Sequence, residues 1–147
     1  MKIFRILAVA IFTMTLLFGN SNIVLAEKND ISALGECSVQ KKYTMYLGTN
    51  DKDTMQQEIP SEKIREEMDK ICMKYVDGYT VTTADGYYRG KDNEVFHETS
   101  FVYVFIGTDI YALQKIMDEA LVKFNQESIL LEESDTKSIF YEGKMIQ

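Results

Sequence analysis

Four residues in the middle of the chain are of the types that polar chemistry needs: Tyr88, Arg89, His97 and Glu98. They flank a short turn at Gly90-Lys91-Asp92-Asn93, so a hairpin would bring residues 88–89 within a step or two of 94–98. A histidine oriented by a carboxylate is the common general base. On a strand, however, adjacent side chains point to opposite faces, so Glu98 faces away from His97 and the dyad is weakened. His97 is the one histidine in the sequence, and a lone histidine does not build the two- or three-histidine sites that hold zinc. A weak divalent site from His97 with Asp92, Glu94 and Glu98 stays open as an alternative, but no metal is expected. The plainer reading is a solvated hairpin in which Arg89 pairs with Glu98 or Glu94 across the strands.

Other chemistries find less. Ser100 and Ser138 have no histidine at a readable spacing, and no G-x-S-x-G elbow is present. Gly78, Gly86 and Gly90 punctuate a hairpin rather than lead into a helix, so no phosphate-cradling loop exists. Asp51 and Asp53 have the spacing that opens a calcium loop, but Gln56 stands where that loop turns on glycine. A solvated loop is the expectation, and no cofactor is called for.

The elements that must position these residues follow from periodicity. From Lys41, Tyr43, Met45 and Leu47 alternate with Thr44, Tyr46 and Gly48, a strand pattern. Ser61 is the expected N-cap of a helix whose Ile64, Met68, Ile71, Cys72 and Tyr75 share one face, with Asp77-Gly78 ending it. A second strand from Tyr79 meets a bend or bulge at Asp85-Gly86 before the hairpin turn. The return strand is apolar on both faces, with Phe101, Tyr103 and Phe105 opposite Val102, Val104 and Ile106. Thr108-Asp109 opens a second helix striped by Ile110, Leu113, Met117, Ala120, Leu121 and Phe124. Ser128–Glu132 and Ser138–Tyr141 read as two extended pieces separated by the polar run 134–137.

Strand, helix, strand, strand, helix, strand is the order of a ferredoxin-like α+β sandwich. An antiparallel sheet then carries both helices on one face, with the first and third strands central. The other face lacks helices. Leaving a large apolar side chain in water forgoes roughly 1.5–3 kcal/mol relative to burial, so a second copy, the C-terminal extension around Ile139-Phe140-Tyr141 or an apolar ligand is expected there, with Phe101, Tyr103 and Phe105 or their opposite set as its contact row. A homodimer through this face, or an apolar ligand on it, makes the chain a non-enzymatic binding module. The alternative is a small enzyme of the dimeric α+β-barrel type, with a pocket near the 88–98 hairpin.

The first residues read as an export signal. Lys2 and Arg5 precede the apolar run Ile6–Phe18, and Val24 and Ala26 suit cleavage after Ala26. The expected organisation is a signal peptide at 1–26, a leader at 27–40 and one domain at 41–147, secreted or extracytoplasmic. Cleavage removes two positive charges and takes the net charge from −7 to −9. Such acidity disfavours nucleic acid and anionic membrane surfaces as partners. Outside the cytoplasm Cys37 and Cys72 are free to pair, closing a loop of about 35 residues worth on the order of 3–4 kcal/mol. Two free thiols is the other reading.

Three short patterns carry a resemblance: Tyr75-x-Asp77-Gly78-x-Thr80-Val81, Ala84-x-Gly86-x-Tyr88-Arg89 and Glu98-x-Ser100-x-Val102. Together they resemble a family of small secreted bacterial proteins, the domain-of-unknown-function family numbered three-five-seven-four. The likeness spans Lys41 to about Tyr141, with Tyr88 where the family more often has tryptophan. It implies a small α+β fold and supplies no activity.

Overall fold

Alternation decides which side of each strand turns inward, and two strands do most of that work. The computed structural model describes residues 30–90 and 92–143; the expected export signal lies outside them. After a short 3-10 turn at Ile31–Leu34, β1 (Ser38–Gly48) buries Tyr43, Met45 and Leu47. Strand β3 (Val95–Ile106) buries Phe101, Tyr103 and Phe105, and antiparallel pairing sets Tyr43 beside Phe105, Met45 beside Tyr103 and Leu47 beside Phe101. Six large side chains thus form one apolar floor.

Helix α1 (Ser61–Cys72) sets Ile64, Met68, Ile71 and Cys72 on that floor, and α2 (Ile110–Lys123) adds Leu113, Ile116 and Ala120. At roughly 1.5–3 kcal/mol for each large side chain taken from water, this layer dominates the favourable side of folding. Glu67 ties the helices together, accepting from Lys63 and Lys70 of α1 and from Lys123 of α2. The Tyr103 hydroxyl lies inside the layer with no hydrogen-bond partner among the described residues.

The sheet order is β2-β3-β1-β4, every neighbour antiparallel, with β2 at Thr80–Arg89 and β4 at Leu130–Ser138. With the helices between β1 and β2 and between β3 and β4, this is the ferredoxin-like α+β fold.

Local details differ from the sequence-based expectations. Pro60, not Ser61, caps α1, and the Ser61 hydroxyl accepts from Gln57 Nε2 at 2.9 Å instead. The helix ends at Cys72, and Tyr75 belongs to the turn beyond it. No bulge occurs at Asp85-Gly86, since β2 and β3 pair one to one from Thr80–Val104 to Arg89–Val95. Strand β4 is continuous through the polar run, paired residue by residue with β1, and Lys41 bridges Glu133 at 2.6 Å and Asp135 at 2.9 Å across that ladder. The same pairing extends β1 back to Ser38, opposite Ser138, so the last residues of the expected leader join the sheet.

Of the two expected contact rows, the aromatic one faces the helices and is excluded. Phe101, Tyr103 and Phe105 are 3 %, 0 % and 0 % exposed because they are the floor on which the helices pack. The uncovered face carries the opposite set, with Thr44 and Tyr46 on β1 and Val102, Val104 and Ile106 on β3.

Candidate functional site

The β2–β3 hairpin runs past the sheet's end, and strand alternation splits its side chains between two faces. On one face Tyr87 stacks on His97, with ring centres 4.5 Å apart, and His97 Nε2 lies 3.1 Å from an Asp85 carboxylate oxygen. This pair is solvent-exposed. On the other face Tyr88 stacks on Phe96 at 5.3 Å, and Glu98 follows in line. The four candidate residues therefore do not converge: His97 is separated from Tyr88 and Glu98 by the strand itself.

Glu98 reaches across to β1. Its Oε2 accepts from the backbone N–H groups of Thr49 and Asn50, each at 3.1 Å. That approach is open only because residue 48 is glycine, since a Cβ there would lie 2.5 Å from Glu98 Oε2. Arg89 pairs with neither Glu98 nor Glu94. Its Nη1 donates to the Asn93 backbone and side-chain oxygens, both at 3.0 Å, and so closes the hairpin turn.

The residues after Gly48 are held from the far end of the chain. Asn125 Nδ2 donates to Asp51 at 2.9 Å and to Asp53 at 2.7 Å, while Gln126 Nε2 donates to the Asn50 carbonyl at 2.8 Å. The Asn125 bond, helped by the Asp53 and Thr54 backbone N–H groups, holds the Asp51 carboxyl below its ordinary range. Met55 and Asn125 both take left-handed backbone conformations, with φ of 56° and 48°; asparagine adopts this region readily, whereas methionine keeps it only where the surroundings enforce it.

Between these loops and the hairpin lies a two-lobed cleft. One lobe, of ≈ 310 Å³, reaches Glu98 and Gln126; the other, of ≈ 610 Å³, runs along Phe96 toward Arg89 and Glu94. Lys52, Met55, Tyr88 and Glu127 border both. Of the expected site residues, the cleft gathers Tyr88, Arg89 and Glu98 and leaves out His97. Gly48, Lys52, Met55, Gln126 and Glu127 were not foreseen. Only Gly48 carried a readable signal, because glycine inside a strand marks a close approach.

Among the described residues no group of three or more histidine, cysteine, aspartate or glutamate side chains is placed to hold a metal. Both cysteines are free thiols, so the Cys37–Cys72 bond is not formed here. Cys72 is sealed between α1 and the sheet, where burial pushes its thiol up to about 12, whereas Cys37 precedes β1 and is partly exposed.

The family model described as protein of unknown function (DUF3574) matches residues 42–140. The chain belongs to that family. The DUF3574 match begins inside β1 and ends two residues after β4, so it takes in most of β1, the other three strands and both helices. No curated protein matches the chain. Among solved structures, this DUF3574 chain is similar to a phage SAM lyase in complex with S-methyl-5'-thioadenosine, with 15 % identity and a TM-score of 0.52, over 71 % of this chain and 93 % of that one. A PII-like protein from Thiomonas intermedia bound to ADP, AMP and bicarbonate matches at 12 % identity and TM-score 0.44, over 71 % and 99 %. CutA from Synechococcus elongatus matches at 11 % and 0.44, over 71 % and 87 %. The likeness to the phage lyase, at 15 % identity, is one of fold.

Proposed function

We infer that this protein is a non-enzymatic, exported interaction module that associates with a second copy of itself through the helix-free face of its sheet. The observation that carries this reading is the apolar row on that face. Ile106 is 49 % exposed at the end of β3, in line with Val104 and Val102, and Tyr46 on β1 lies between Val102 and Leu130 of β4. Threonines 44, 80 and 82 surround the row, leaving a flat surface with few charges at its centre. Leaving such a row in water is costly, and a copy of the same sheet covers it with a matching surface.

Charge placement favours a second copy over an apolar ligand. Lys42 stands on this face beside Ile106, while Glu132, bonded by the Tyr46 hydroxyl at 3.0 Å, stands near the β4 edge. In an isologous contact the Lys42 of each copy can meet the Glu132 of the other. A lipid-like ligand has no use for that pairing.

The test is the solution mass of the purified protein across a concentration series, by light scattering or sedimentation. The expected result is twice the protomer mass, returned to that of the protomer by Val104→Asp without loss of the circular-dichroism spectrum. A trimer overturns the like-face pairing, because a threefold contact joins two different patches. A monomer at every concentration removes the reading.

An enzymatic reading keeps one point of support, the cleft beside the hairpin. With His97 on the opposite strand face, the cleft holds no histidine–carboxylate pair. The reaction and ligand named for the phage lyase do not carry over at 15 % identity.

A further inference from the structure

We propose that the two-lobed cleft at the hairpin mouth binds a small organic cation, an amine or other onium group on a short apolar body. The site lies at the hairpin end of β3, on the same strand face as the Val102–Ile106 row invoked for self-association but beyond it, and its chemistry follows from what borders it.

The cleft has the dimensions of a small-molecule site, which commonly spans about 300–1,000 Å³. One wall is aromatic. Tyr88 and Phe96 are stacked with an interplanar angle of 22°, and Phe96 packs over Gly90, where a Cβ would meet its ring at 2.7 Å. The pair is therefore held as a fixed surface. Met55 adds a polarisable thioether at the junction of the lobes. Aromatic faces attract cations through their negative quadrupole, and a desolvated cation gains more from them than an exposed one.

The second component is negative charge held in place. Glu98 Oε2 is fixed by two backbone N–H groups, while its Oε1 accepts no hydrogen bond from the described residues. Glu127 borders both lobes, and Asp92 and Glu94 border the larger one. Among the described residues Lys52 and Arg89 stand against these, and the Arg89 Nη1 is occupied by the hairpin turn. The balance favours a positive guest. These carboxylates do not converge into a group placed to hold a metal, so an apolar-bodied cation suits the cleft better than a bare divalent ion. An anion would have to pass the acidic border and displace the water around it.

Choline is a suitable probe, because its uncharged carbon isostere has the same shape without the charge. Titration of the purified protein is followed by amide chemical shifts and by calorimetry. The expected result is saturable binding with shifts at residues 50–55, 88–98 and 126–128, at least tenfold tighter for choline than for the isostere. Tyr88→Ala and Glu98→Gln are each expected to weaken it about tenfold, in line with loss of one aromatic or charged contact to a cation. Glu127→Gln carries the same expectation and leaves the Glu98 bonds untouched, so it keeps the test decisive if Glu98→Gln unfolds. Binding that survives Val104→Asp separates this site from the sheet face. Absence of saturable shifts, equal affinity for the isostere, or saturation by inorganic phosphate instead overturns the proposal.

Discussion

The carboxylate of Glu98 occupies the space that a side chain at Gly48 would fill, and from there it receives the Thr49 and Asn50 backbone N–H groups. One glycine thus connects the hairpin to the end of β1. Gly48 does not have a left-handed φ, so alanine meets no backbone strain there. Its cost comes from displacing Glu98.

Gly48→Ala is therefore expected to destabilise the fold by about 2 kcal/mol, the scale of hydrogen bonds to a charged acceptor. In a Glu98→Ala background the same change is expected to be close to neutral, because nothing remains to displace. Chemical denaturation of the four proteins in that cycle measures the coupling. Additive effects would show that Gly48 matters for some reason other than room for Glu98.

Much of the fold is legible in the chain because two periods are clean. Met45 and Leu47 alternate with Tyr46, and Ile64, Met68 and Ile71 recur at helical spacing, so element order and fold class follow. The facing of β3 was not legible. Phe101, Tyr103 and Phe105 alternate with Val102, Val104 and Ile106, and with both sets apolar, alternation cannot say which one meets the helices. The polar run in β4 concealed a strand for a different reason. An edge strand is held through the ladder to a single neighbour, so Glu133 and Asp135 sit in register through pairing with β1, with Lys41 bridging both, rather than through burial. The cleft was least legible, because it forms where residues 50–55, 88–98 and 126–128 meet. Asn125 reads locally as a helix stop; its bonds to Asp51 and Asp53 exist only in three dimensions.

Glu67 gives the fold an acid limit. The Lys123, Lys70 and Lys63 ammonium groups, in that order, lower its carboxyl from an ordinary 4.5 to about 2. A carboxyl with a lowered folded pKa contributes stability that is fully present above its unfolded value and is lost as pH falls toward the folded one. Stability is therefore expected to decline between about pH 4.5 and 2, and Glu67→Gln should flatten that part of the profile while leaving its neutral side nearly parallel. Urea midpoints across the acid range provide the comparison. An unchanged slope in Glu67→Gln would mean that the bridge between α1 and α2 does not form in solution.

The two cysteines should differ sharply toward a thiol reagent. The thiolate is the reactive form, and burial both raises the Cys72 thiol to about 12 and denies the reagent access. Cys37, ahead of β1 and partly exposed, is open to the reagent. At mildly alkaline pH the native protein is expected to react at one equivalent quickly, with the second appearing only on unfolding. Cys37→Ser should abolish the fast phase, and Cys72→Ser should leave it intact. If instead neither thiol reacts even in denaturant until a reductant is added, the two are joined, and Cys72 must leave its place between α1 and the sheet to reach Cys37.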